Sequence, residues 1–160
     1  MIFFFKWMES PIGRLKLVSD DTGLAAVLWE DDNPSRVRLG HQIEDSHNDI
    51  LTTAERQLTE YFGRKRKIFK IPLSFAGTSF QIKVWQSLLD IPYGETRSYG
   101  DIANHIGHPT AVRAVGGANG RNPVAIVAPC HRVIGASGAL TGFAGGLEAK
   151  RYLLDLETRS

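Results

Sequence analysis

At 160 residues, 42% of them hydrophobic and 22% charged, the chain can bury a core and has room for one ordinary domain or two small ones. A formal charge of +2 permits nucleic-acid binding without arguing for it, and no apolar stretch is long enough to span a bilayer. One cysteine excludes an internal disulfide and any multi-cysteine metal site, and a free thiol with no export signal points to the cytosol.

The apolar start, Met1 to Lys6, is too short for a signal peptide and reads as a strand. Arg14 to Ser19 alternates as a second strand. Asp20-Asp21-Thr22-Gly23 makes a turn, and Leu24 to Trp29 returns as a third strand. Asp31 to Asn48 is polar and irregular, a loop. Ile50, Leu51, Ala54, Leu58, Tyr61 and Phe62 follow helical spacing up to Gly63. The run Arg64-Lys65-Arg66-Lys67 reads as a solvated turn rather than a phosphate contact. These pieces predict a small α/β domain over residues 1–76, with a linker near Phe75-Ala76-Gly77.

The rest, residues 77–160, reads as mostly helical. Thr78-Ser79-Phe80-Gln81 has the form of a capping box, opening a helix that Ile91-Pro92-Tyr93-Gly94 stops. Ser98 caps a short helix from Tyr99 to Ile106, and Gly107-His108-Pro109 ends it. Thr110 is expected to cap the next, Ala111 to about Asn119, ended by Gly120. Two short helices joined by a tight glycine-containing turn form the pattern of a helix-turn-helix. Gly135 to Gly138 is a turn, and Gly145-Gly146 leads into a final helix from Leu147 to Leu156.

Charge is unevenly spread. Between Thr96 and Gly146 the formal charges are Arg97, Arg113, Arg121 and Arg132 against Asp101, a balance of 4 − 1 = +3. Acid gathers in the front half, at Glu30, Asp31, Asp32, Glu44, Asp45 and Asp49. In the helix after Thr110, Arg113 is the one charge among small residues. Gly116-Gly117 costs roughly 1 kcal/mol per glycine in a helix interior, which points to close approach by something. DNA fits, with the arginine filling the space an extruded base leaves.

Cys130 follows the apolar run Val124 to Ala128 and Pro129, and His131 and Arg132 follow it. An isolated cysteine is most often a buried small hydrophobe. A proline immediately before it and two potential cations immediately after favour a nucleophile instead. In extended backbone, adjacent Cys130 and His131 point to opposite faces, so a water bridging them is as plausible as direct contact. Glu157 is a candidate to orient the histidine. Asn122, before Pro123, is by itself most often a turn residue.

Pro129-Cys130-His131-Arg132-Val133-Ile134 resembles the signature of the O6-alkylguanine–DNA alkyltransferases, proteins that repair DNA at the expense of their own cysteine. The resemblance continues through Ile91 to Glu95, Ser98-Tyr99, Arg113 to Asn119, Asn122-Pro123 and Gly145-Gly146-Leu147. It is close from about Thr78 to Glu157 and loose in the front half. It implies an α/β (α+β) protein: a small RNase H-like α/β N-terminal domain and a helical DNA-binding, alkyl-accepting domain. Cys130 would be the acceptor, His131 its base through a water, Glu157 the residue orienting His131, and Asn122 a brace for the active-site turn. Tyr99 would crowd the target phosphate and Arg113 would replace the flipped guanine. Ala114, Gly117, Ala118, Arg121 and Arg132 would also face DNA, bound through the minor groove. Tyr99, Val133, Phe143 and Gly145 would form the base pocket. The partner implied is double-stranded DNA containing O6-alkylguanine, met by a monomer able to cluster on DNA, with no cofactor, metal or membrane.

Three positions depart from the pattern. Ala128 stands where a larger aliphatic is usual, and Phe143 where many members have tyrosine. The structural zinc of some relatives has no cysteines here to hold it in its usual form. Three other readings share some of these motifs. Alkyltransferase-like lesion sensors lack the acceptor cysteine, which this chain has. A methylation-responsive regulator needs a cysteine-rich front module, which it lacks. A thiol hydrolase rests on the Cys–His pair alone.

Overall fold

The computed structural model describes residues 1–158. The chain divides into two compact units, one from Met1 to Phe75 and the other starting at Ala76. The first is built on a four-stranded mixed sheet in the order β3-β2-β1-β4. β1 (Phe3–Met8), β2 (Leu15–Ser19) and β3 (Leu24–Trp29) form an antiparallel meander, β1 against β2 and β2 against β3, as the alternation and the turn at Asp20 predict. The Asp20 carboxylate accepts from the amides of Thr22 and Gly23, at 2.8 and 3.0 Å, which fixes that turn. Helix α1 (Asp49–Phe62), capped by Asn48, buries Leu51, Ala54, Leu58 and Tyr61.

Two features of this unit differ from the sequence expectation. The polar segment Asp31 to Asn48 contains a strand, β4 (Gln42–Glu44), which pairs in parallel with β1. Three residues are too few for periodicity to register. The chain after α1 also returns along the edge of β3. Leu24 donates to Pro72 O (2.7 Å) and Ser74 to Leu24 O (2.9 Å), which occupies edge groups that would otherwise stay unpaired. Gly23 allows this approach, since a Cβ there would lie 2.6 Å from Pro72 O.

The second unit is helical. The capping box at the start of α2 (Ser79–Leu88) forms as expected: Thr78 Oγ1 accepts from Gln81 N at 3.1 Å, and Gln81 Oε1 from Thr78 N at 3.0 Å. Ser98 and Asp101 form the equivalent pair at α3 (Tyr99–His105). Helix α4 (Val112–Gly120) begins one residue later than expected. Ala111 is its N-cap and makes no side-chain cap bond, so Thr110 lies outside the position from which a hydroxyl reaches the first-turn amides. Trp85 of α2 donates through Nε1 to Ala118 O at 2.8 Å, tying the end of α4 to the core. A two-stranded parallel ladder joins β5 (Arg97–Ser98) to β6 (Val133–Ile134). Helix α5 (Leu147–Thr158) buries Ala149, Lys150, Leu153, Leu156 and Glu157 along one face. Leu147, at the start of the helix, is exposed.

Candidate active site

The segment between α4 and the cysteine is a buried turn. Asn122 makes it: Nδ2 donates to Ala128 O at 2.8 Å, while Oδ1 accepts from Val124 N at 3.1 Å. Ala128 N closes the turn onto Val124 O at 2.9 Å. Ile126 at its apex has φ of 72°, a conformation that costs a β-branched residue energy and persists only where the surroundings impose it. Burial of Val124 to Ala128 and the two Asn122 bonds supply that constraint.

Cys130 follows as the first residue of a 3-10 turn, Cys130–Arg132, not in extended backbone. The opposite-face expectation for Cys130 and His131 therefore does not apply, because successive side chains on a 3-10 turn lie about 120° apart. Cys130 is 6% exposed and His131 is fully buried. His131 Nε2 meets Glu157 Oε2 at 2.7 Å. Nδ1 of the same ring is buried and has no hydrogen-bond partner among the described residues. Burial pushes the His131 pKa below its ordinary value, although Glu157 pulls the other way. The ring is thus held neutral near pH 7, with one nitrogen committed and the other available.

Arg132 departs most from expectation. It was expected to face DNA, but it is buried. Its guanidinium donates from Nε to Glu157 Oε1 (2.8 Å), from Nη2 to Glu157 Oε2 (3.0 Å) and from Nη1 to Ile91 O (2.7 Å). These bonds and its burial, at 6% exposure, turn the guanidinium into the fold and away from a phosphate. One carboxylate thereby organises both residues that follow the cysteine. Burial alone would raise the Glu157 pKa, but the hydrogen bonds from His131 and Arg132 outweigh it and hold the group at about 2.

Of the other residues expected to face DNA, Arg113, Ala114, Gly117 and Arg121 are exposed. Ala118 is not: it is buried, with its carbonyl on Trp85, and the helical register that exposes Ala114 and Gly117 turns it inward. Tyr99, half-buried at the start of α3, hydrogen-bonds through its hydroxyl to Thr141. Val133 is fully buried, while Phe143 and Gly145 are half-buried.

Sequence reasoning missed Lys150. Its ammonium sits 5.9 Å from the centre of the Phe143 ring and donates to Val133 O at 2.7 Å and Thr141 O at 3.4 Å. Burial lowers its pKa, which interaction with Cys130 partly offsets. The signal was present: Lys150, Leu153 and Glu157 share one helical stripe, so a cation and an acid sit on the apolar face. Asn119, also missed, donates from Nδ2 to Cys130 O at 3.5 Å.

Comparison with known proteins bears on this arrangement. The family model described as 6-O-methylguanine DNA methyltransferase, ribonuclease-like domain, matches residues 4–75, and that for the DNA binding domain matches residues 79–159. The methylated-DNA–protein-cysteine methyltransferase of Methanosarcina acetivorans is 48% identical over 96% of this chain and 97% of its own length. That of Mycobacterium leprae is 51% identical over 94% and 89%. The structure of Mycobacterium tuberculosis OGT in complex with DNA superposes with a TM-score of 0.88 at 46% identity, covering 99% of this chain and 94% of that one. Both halves match one family's two domains in order, and the chain belongs to the 6-O-methylguanine DNA methyltransferases.

Proposed function

We propose that this chain repairs DNA by direct reversal, moving the alkyl group of O6-alkylguanine irreversibly onto Cys130, once per molecule. The observation that carries the reading is the buried Cys130-His131-Arg132 turn locked onto Glu157. Nε2 is committed to the carboxylate, so Nδ1 is the nitrogen that takes the thiol proton, through a water. The thiolate attacks the alkyl carbon in line. The carbon–oxygen bond breaks as the carbon–sulfur bond forms, and the proton taken from the thiol returns to the departing guanine. A thioether is inert, so no second turnover follows.

The base must leave the stack to reach a buried sulfur. Exposed Arg113 on α4 fills the space it vacates, and Tyr99 at the start of α3 crowds the target phosphate. Tyr99, Val133, Phe143 and Gly145 receive the flipped base. Ala114, Gly117 and Arg121 meet the minor groove, and the small side chains at Ala114 and Gly117 let the α4 backbone come close. O4-alkylthymine is a second substrate of the same site. The chain works as a cytoplasmic monomer able to cluster on DNA. No helix among the described residues is long and apolar enough to cross a membrane.

Mass spectrometry after incubation with an O6-methylguanine duplex tests this. Cys130 should gain one methyl group in place of its hydrogen, with no other residue changed and no turnover beyond one equivalent. Cys130→Ser should lose transfer and keep lesion binding. Modification of another residue, or multiple turnovers, would sink the reading.

A further inference from the structure

Tyr99 is held at both ends. Under its ring runs the backbone of Gly116, where a Cβ would touch ring carbons at 3.8 and 3.9 Å. At its tip the hydroxyl hydrogen-bonds that of Thr141, 42 residues further along the chain. Thr141 lies in the loop between β6 and α5, and that loop is itself pinned. Lys150 reaches up from α5 to Val133 O at the loop's entry and Thr141 O at its return. Gly135 N closes the intervening turn onto Ala139 O at 2.9 Å. A buried cation therefore fixes both limbs of the loop, and its second limb carries the hydroxyl that meets Tyr99.

Each hydroxyl can donate once and accept twice. If Tyr99 donates to Thr141, its only proton is spent. If Thr141 donates to Tyr99, the phenol keeps a proton to give away, and the two hydroxyls form a chain in which each bond polarises the next. A flipped purine presenting an acceptor to Tyr99 selects the second arrangement. Resting on the function proposed above, we propose that Thr141 is a positioning residue. It donates to Tyr99 Oη and aims the remaining O–H at the flipped base, while Lys150 holds the loop that keeps it there.

Single-turnover methyl transfer to Cys130 from an O6-methylguanine duplex, measured over a range of DNA concentrations, separates maximal rate from half-saturation. Thr141→Val, which keeps the side chain's shape without its hydroxyl, should lower the maximal rate about three- to tenfold, the worth of one hydrogen bond. Half-saturation should stay unchanged. Thr141→Ser should restore the rate, and in a Tyr99→Phe background Thr141→Val should cost less than about twofold more, since the two act as one unit. Thr141→Ala carries the same expectation and does not depend on valine fitting the loop. A wild-type rate in both Val and Ala variants would overturn the proposal. So would a serine variant as slow as the valine one, or an undiminished loss in the Tyr99→Phe background. If the unmutated chain places no methyl on Cys130, the functional reading fails instead, and that result is distinct from the others.

Discussion

Glu157 does two jobs with one carboxylate: it orients His131 and neutralises Arg132 inside the fold. Removing its charge leaves a buried guanidinium uncompensated, so Glu157→Gln should destabilise the protein by about 3 kcal/mol at neutral pH. The pH dependence has a definite sign. The Glu157 pKa falls from an ordinary 4.5 to about 2 on folding, so its contribution is full above pH 4.5 and drains away as pH drops towards 2. The His131 pKa is also lowered, from 6.5, so the unfolded chain takes up that proton first and stability begins to fall below pH 6.5. Denaturant unfolding across a pH series should therefore show two stages of acid loss, the lower one missing in Glu157→Gln. Methyl transfer should be flat through neutral pH and decline with a midpoint below 6.5, where His131 gains a proton and stops acting as a base. A midpoint above 6.5 would mean that the ring is charged at rest, contrary to its burial.

At the scale of elements, α4 presents Arg113, Ala114, Gly117 and Arg121 outward and turns Val115, Ala118 and Asn119 inward. An arginine that substitutes for an extruded base matters only when a base has to be extruded. Arg113→Ala should slow repair in duplex DNA about tenfold or more, ~1.4 kcal/mol of barrier, with far less loss towards free O6-benzylguanine if that base fits the pocket. Equal loss on both would place Arg113 in folding or pocket chemistry. How far the sequence foretold these elements depends on how local their causes are. The capping box at Thr78 and the Ser98 cap were legible because each lies within four residues, and α1 because its apolar spacing repeats over fourteen. The 3-10 turn at Cys130 was not, since it answers to Asn122, several residues upstream, and to packing that no periodicity records. Nor was the burial of Arg132, whose partner lies 25 residues away and is as consistent with orienting His131 alone. Lys150 was half legible: its place on the apolar stripe of α5 marks it as buried, but nothing local says that it holds the loop above.

For the whole molecule, the buried arginine changes the electrostatic expectation towards DNA. The sequence balance of +3 between Thr96 and Gly146 counts Arg132, whose charge is spent on Glu157, and Arg97, which pairs with Glu95 at 3.2 Å. Arg113 and Arg121 remain exposed beside a helix face of valine, alanine and glycine. A surface this lightly charged neutralises few phosphates, about two to four, so log K should fall against log[salt] with a slope of about −2 to −4. Along α4 only these two arginines offer hydrogen bonds to base edges, so affinity should vary little among flanking sequences. Weak preference suits a protein that must accept a lesion in any context. Binding to several unrelated duplexes across a salt series checks both points. A much steeper slope would recruit the exposed run at Arg64 and Lys65, read from sequence as a solvated turn, into phosphate contact. A strong preference for one flanking sequence would point to a regulator that reads sites rather than damage, because lesion-bound affinity would then depend on base edges that this helix face has too few groups to read.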